Sequence, residues 1–328
     1  ADPRWYQGVK AVTLQRQASK SQVDFVKHLK KIQQENGMKI IYEVDDVVFR
    51  EEIPDYNKFK FAFDTQEVRD NCVEIMDMCD EITLTCDFMR KLFQSKLTNQ
   101  NVTVIPNFVP FNWMGYLYDQ KTITRNFDSN KRKPRVLYTG SGAHYDVGNK
   151  NGGKDDFTHV NDIVRKTVDK YQWIFVGAYP PPLQDLVKSG KIEFYGWKSL
   201  LEYPNFIAGL NAQLMVAPLT ENNFNNSKSD IKFVEACTLG IPCLCQDMET
   251  YSTAPDDLKF KTGEDLEEKM DWILNYKNRK RYYANIPKLR EYGLTRRLEN
   301  NENIGCRMEA LTTPYGSPER KYLKRWNP

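Results

Sequence analysis

Histidine is scarce, with three in the whole chain, and no two cysteines form a Cys-x-x-Cys pair, so the usual zinc ligands lack their spacing. No apolar run approaches the length that a bilayer crossing needs, and no basic leader followed by an apolar core opens the chain. Internal repeats and low-complexity tracts are missing, which argues against solenoids and arrays. Charge of one sign is also lacking: a formal +3 over 328 residues is too small to identify a polyanionic partner. The seven cysteines are odd in number and mostly embedded in apolar patterns. That usage reads as buried free thiols in a reducing, cytoplasmic setting, not as a disulfide framework.

What remains is a globular composition, 40% hydrophobic and 28% charged, in a chain long enough for two domains with a core each. Val9 to Leu14 is β-rich, Ser21 to Asn36 is an amphipathic helix closed by Gly37, and Lys39 to Val44 is a strand delivering Asp45 and Asp46 to its end. This is a βαβ unit, whose strand ends handle ligands in open parallel sheets. A helix over Gln66 to Cys79, a strand over Glu81 to Thr85, a helix capped by Asp87 and running through Leu97, and a strand over Val102 to Ile105 continue it. The charged stretch Asn126 to Pro134 reads as a linker and sets the domain boundary at about residue 130. Arg135 to Thr139 then restarts the strand-loop-helix order with Gly140, Ser141, Gly142 and His144 behind it. A helix over Asp156 to Lys170 and strands ending at Gly177, Gly196 and Ala217 follow, and the chain closes on basic helices and a polar tail.

The densest chemistry lies in Asn226 to Asp247. A helix over Asp230 to Leu239 is stopped by Gly240 and turns through Pro242 into a short apolar strand. At its start, Ser227, Lys228, Ser229 and Asp230 surround unpaired backbone N–H groups and the positive end of the helix dipole. Lys228 and Lys232 share a face at i, i+4, with Glu235 a turn beyond. Two ammonium groups, a helix N-terminus and one carboxylate suit a phosphorylated sugar-alcohol ligand. The same pattern also fits an amphipathic helix with solvated lysines. Asp45 and Asp46 could orient or deprotonate a hydroxyl, bind a metal, or cap the next turn.

In order, YTGSGAHYD, WIFVG, FYGW, LMVAPL and KSDIKFVEACTLGIPCLC resemble the donor-binding half of retaining GT-B glycosyltransferases of the large family 4 group. QRQ, YEVDDVVF, DEITLT and VTVIPN are similar to the acceptor-side half, so the resemblance runs from about Val9 to Asn275. It implies an α/β protein of two Rossmann-like domains with a cleft between them. These would be residues 1–130 on the acceptor side and 131–301 on the donor side, with the tail 302–328 returning to the first. The implied reaction moves a sugar from a nucleoside-diphosphate sugar, a UDP-sugar first, to an acceptor hydroxyl with retention, without cofactor or metal. The acceptor is either a glycan or a hydroxymethylated base of phage DNA; the basic segments 131–135 and 277–297 suit DNA or solvated helices. A non-catalytic binding protein on the same fold is the other reading.

By resemblance, Glu235 would hold the ribose hydroxyls, and Lys228, Ser229 and Lys232 at the helix start would hold the diphosphate. Gly140 to Gly142 would approach the sugar phosphate, with His144 beside them as a sugar contact or a turn residue. Backbone near Gly196 and Trp197 would hold the base, with Trp197 otherwise packing as core or lid, and Lys150 or Lys154 would add a phosphate contact. Asp45 and Asp46 fall to the acceptor side. Two departures stand out: Ser227 occupies the place of a first glutamate, and the N-terminal half lacks the usual opening strand with its glycine loop.

Overall fold

The computed structural model describes residues 2–111, 113, 133–148 and 153–327. Its described strands form two separate parallel sheets, one of four strands and one of six. The first runs β1 (Ala11–Gln15), β2 (Lys39–Glu43), β3 (Glu81–Leu84), β4 (Val102–Val104), each paired in parallel with the next. Parallel neighbours require a crossover, supplied here by α1 (Lys20–Asn36), α2 (Gln66–Met78) and α3 (Asp87–Lys96). Ser19 and Gln22 complete a reciprocal cap at the start of α1, and Val23, Val26, Leu29 and Ile32 bury one stripe of it against the sheet. Gly37 ends it in the left-handed region at φ 69°.

The second sheet has the order β10-β9-β8-β5-β6-β7. Its strands are β5 (Arg135–Gly140), β6 (Gln172–Gly177), β7 (Glu193–Tyr195), β8 (Leu214–Ala217), β9 (Cys243–Gln246) and β10 (Lys259–Phe260). β5 lies between β6 and β8, so the chain order reverses on either side of it. In an open α/β sheet a crevice forms outside the strand ends at such a point. The Gly140–Ser141–Gly142 loop leaves β5 there, and the Ile231–Leu239 helix packs against β8 and β9 beside it.

Several expected elements differ in extent. The helix expected over Asp156 to Lys170 covers only Asn161–Thr167. Asp155 is the cause: its carboxylate accepts from the N–H groups of Asp146 and Phe157, and Thr158 closes back on Asp155, fixing a turn where a helix would begin. Asp87 is the first residue of α3 and not its cap, which is Cys86. The polar tail contains a helix, Asn301–Thr312, capped by Asn300 and buried through Asn303, Cys306 and Ala310. It packs on β1 and β2. Of the linker Asn126 to Pro134, residues 126–132 lie outside the described residues, as does Lys150. All seven cysteines are free, and no described helix is long and apolar enough to cross a membrane.

The sheets meet along a polar, largely buried seam. Tyr56 of the first half donates to Asp156 of the second at 2.8 Å, and Asn225 Nδ2 reaches both the Tyr56 hydroxyl and Asp156 at 2.9 and 2.7 Å. Phe224, preceding Asn225, packs in the core of the first sheet. The Asn223–Asn226 turn is thus a plug from the second half seated in the first.

Candidate functional site

The site is organised at the start of the Ile231–Leu239 helix, where Asp230 stands as cap without a side-chain capping bond. The Asp230 carboxylate is held instead by Arg297, at 2.7 and 2.8 Å, and by Thr253 at 2.9 Å. Ser227 is buried and donates to the Asn223 carbonyl. Ser229 accepts from Asn107 Nδ2 at 2.8 Å, a bond that ties the end of the first sheet to this helix. Of the four residues expected around the helix start, three are therefore engaged by other parts of the protein. Lys228 is left facing the seam.

From Lys228 a chain of charges runs through the interior. Its ammonium is 3.9 Å from Asp156 Oδ2, which is 2.6 Å from His144 Nδ1, and His144 Nε2 is 3.3 Å from the Lys232 ammonium. Burial first, and then the two lysines, hold the His144 pKa down to about 3, so the ring is neutral. The network then assigns its tautomer: Nδ1–H donates to Asp156, and Nε2 accepts from Lys232. Burial alone would raise Asp156, but Lys228, the His144 hydrogen bond and the Thr220 N–H bring it to about 2, keeping it ionised. Burial and repulsion from Lys228 lower Lys232 to about 8. Near neutral pH the chain therefore carries two cations against one anion, an excess that favours an anionic ligand.

Glu235 lies one turn along the helix, where burial pushes its pKa up to about 7 against the opposing pull of the Tyr203 hydroxyl and Lys232. That hydroxyl donates to Glu235 Oε2 at 3.1 Å. A carboxylate with one oxygen bound and the other available is suited to a diol.

The glycine loop is shaped by contact with its own strand. A Cβ at Gly140 would collide with the Tyr138 hydroxyl, and one at Gly177, whose φ is +96°, would stand 2.5 Å from the Gly140 carbonyl oxygen. Ser141 caps the short turn Gly142–His144 by accepting from Ala143 N–H, and this turn delivers His144 to Asp156. Gly196 follows β7, and Trp197 is 70% exposed, its ring 3.7 Å from where a Gly177 Cβ would be. It is not packed as core. Lys154 is exposed.

Across the seam stand the ends of β1 and β2. Arg16, in the left-handed region at φ 48°, bonds Asp45 Oδ1 through Nε at 2.8 Å and through its NH2 group at 2.5 Å. Asp45 is exposed and belongs to that pair, whereas Asp46 is half-buried. Burial raises the Asp46 pKa while Lys228 and Arg16 oppose it, so Asp46 lies within the field of Lys228. The two aspartates are thus separated by environment.

Sequence reasoning missed Asp156, Tyr203 and Tyr56. Asp156 carried no signal beyond its place at a supposed helix start. Tyr203 and Tyr56 reach their partners over sequence separations that no local pattern encodes. Among the described residues, no group of three or more His, Cys, Asp or Glu is placed to hold a metal ion.

No protein-family model matches the chain, and no curated protein matches it in sequence. Solved structures do match in three dimensions. Sucrose-phosphate synthase from Thermosynechococcus elongatus aligns over 94% of this chain and 74% of its own, with 12% identity and a TM-score of 0.61. Anabaena HepE in complex with UDP aligns over 94% and 81%, with 12% identity and a TM-score of 0.62. A glycosyltransferase from Rickettsia africae aligns over 90% and 75%, with 12% identity and a TM-score of 0.58. At these identities the likeness establishes the fold: two Rossmann-like domains in the GT-B arrangement.

Proposed function

We propose that the protein transfers a glycosyl group from a nucleoside-diphosphate sugar, a UDP-sugar in the first instance, to an acceptor hydroxyl. The observation that carries this reading is the Lys228–Asp156–His144–Lys232 chain, which leaves excess positive charge at a helix start. Lys228 at that helix start also opposes the burial that raises the Asp46 pKa. In the reaction, the bond from the anomeric carbon to the β-phosphate oxygen breaks and its electron pair leaves with the diphosphate. The acceptor oxygen bonds to that carbon, and its proton passes to the departing diphosphate. Negative charge grows on the diphosphate as the bond lengthens, and fixed cations aimed at it lower the barrier.

In this reading Glu235 accepts from the ribose diol and Trp197 lies against the base. The glycine loop leaves room for the sugar phosphate. Asp46 orients the acceptor hydroxyl. The lysines and helix dipole carry the charge that a divalent ion carries elsewhere, so no metal is required. Retention of configuration follows from the motif resemblance. The fold is shared with HepE, whose structures hold UDP and UDP-glucose, and this supports the choice of donor.

The test is incubation with a panel of UDP- and GDP-sugars and candidate acceptors, with and without EDTA, followed by mass analysis of the products. Transfer that persists in EDTA, with an anomeric proton coupling matching that of the donor, is the expected result. UDP binding without turnover toward any acceptor, or with hydrolysis alone, would return the protein to the binding reading that the loss of the first glutamate at Ser227 also fits. Activity lost in EDTA and restored by Mg²⁺ or Mn²⁺ would move the centre toward Asp45 and Asp46.

A further inference from the structure

A pocket of about 60 Å³ opens beside Asp46, lined by Arg16, Asn57, Phe59, Phe63 and Phe224 among others. It shares a wall with the phosphate side, because the Phe224 ring also carries the Lys228 ammonium 5.0 Å from its centroid. Whatever occupies it lies next to the group that would stabilise a departing diphosphate. The volume admits one hydroxyl-bearing arm of a ring and not the ring itself, which would rest outside on the half-exposed Phe59.

The charge around its mouth decides between acceptor classes. Residues 50–64 carry three basic and four acidic side chains. Arg16 is paired with Asp45, Lys60 with Asp55 and Arg50 with Asp64. A nucleic-acid backbone is held by several uncompensated cations, whereas this rim pairs three of its four cations with carboxylates and sets the fourth, Lys58, 5.1 Å from the centroid of the Phe59 ring. Aromatic rings joined to a carboxylate and a guanidinium instead match an uncharged polyol, whose C–H faces lie on rings and whose hydroxyls seek planar polar groups.

We propose that this pocket is the acceptor subsite and that its occupant is an uncharged saccharide, with its ring on Phe59 and the hydroxyl next to the reacting one donating to Asp46. The proposal rests on the glycosyl-transfer reading for its place in the reaction, but not for the binding it predicts.

Saturation-transfer NMR on the full chain tests it, using methyl hexopyranosides and disaccharides as one set of probes and single-stranded and duplex oligonucleotides as the other. UDP is present throughout, and its own affinity is measured in the same samples. A saccharide should give a signal with the wild type and bind at least tenfold more weakly to Phe59→Ala and Asp46→Asn. UDP affinity should stay within about twofold, and Phe61→Ala, at a ring outside the pocket lining, should change neither. Absence of any saccharide signal, binding indifferent to both variants, or oligonucleotide binding that Phe59→Ala abolishes would overturn the assignment. Failure of the wild type to bind UDP, with saccharide binding intact and sensitive to Phe59, would instead defeat the transfer reading and leave the subsite standing.

Discussion

Two buried ionic clusters of this molecule are built from the same kinds of side chain and come out differently. Around Glu81, at the base of the first sheet, the carboxylate and both cations are bonded within the protein, and Arg320 Nε is buried there without a partner. Lys39 donates to Glu81 and to the carbonyls of Ala310 and Thr313, which uses all three ammonium hydrogens. Arg320 grips both Glu81 oxygens, and Thr103 donates to one of them. Around Asp156 the anion is equally satisfied, but the cations are not: among the described residues, Lys228 has one ion pair at 3.9 Å and Lys232 one bond of 3.3 Å to a neutral ring. A closed cluster fastens the C-terminal tail to the sheet. An open one keeps donors for a ligand.

The sharpest way to break this contrast is to remove a cation from each cluster. Arg320→Met leaves Glu81 buried with a diminished set of partners, and breaking a buried pair in this way costs about 3–5 kcal/mol. The expected result is a large fall in the urea midpoint with UDP affinity of the still-folded fraction unchanged. Loss of UDP binding without loss of stability would mean that the two clusters had been assigned the wrong way round. Lys228→Ala should show the opposite profile. Its stability should hold within about 1 kcal/mol, while turnover falls by roughly 10²–10³, the range for removing one donor to a developing anion. Donor affinity should fall by much less, and a KM effect at constant kcat would show that Lys228 only binds ground-state phosphate.

A smaller effect is expected at the carboxylate. Glu235→Ala should weaken UDP-sugar binding by about 1.5–3 kcal/mol, the range for a hydrogen bond to a charged group, as read by calorimetry. Unchanged affinity would remove Glu235 from the donor site.

The contrast also marks what could be read from residues alone. The Ile231–Leu239 helix, its Gly240 stop and the strand behind Pro242 are legible because periodicity, a left-handed glycine and proline all act within a few residues. Lys228, Lys232 and Glu235 come with them, since their spacing fixes their face. The partners that set their chemistry do not. Asp156 reaches Lys228 from 72 positions earlier, and Asn107 reaches Ser229 from 122, so neither contact is encoded in any local pattern. The Asn301–Thr312 helix was invisible for another reason: its buried face is Asn303, Cys306 and Ala310, which carries almost no hydrophobic signal. Asp45 and Asp46 look equivalent in sequence and differ because Arg16, across a parallel strand pair, bonds one of them while burial acts on the other.

The finest probe of the open cluster is pH, because its two titrating groups should leave opposite marks on donor binding. Glu235, pushed up to about 7 by burial, must be ionised to accept from a diol. Affinity should therefore rise as pH increases through 7. Lys232, lowered to about 8 by burial and by Lys228, must be protonated to attract phosphate, so affinity should fall as pH increases through 8. The expected profile is a bell with its maximum between these values and limbs approaching tenfold per pH unit, one proton each. UDP-glucose is the ligand to use, since its esterified diphosphate has no proton that titrates in this range. Glu235→Gln should flatten the acid limb alone, and Lys232→Met the alkaline limb alone. If both variants keep the full bell, the titrating groups lie elsewhere and the charge chain does not contact the diphosphate. If only the alkaline limb survives in the wild type, Glu235 binds as a protonated donor, and the ribose contact runs in the opposite sense.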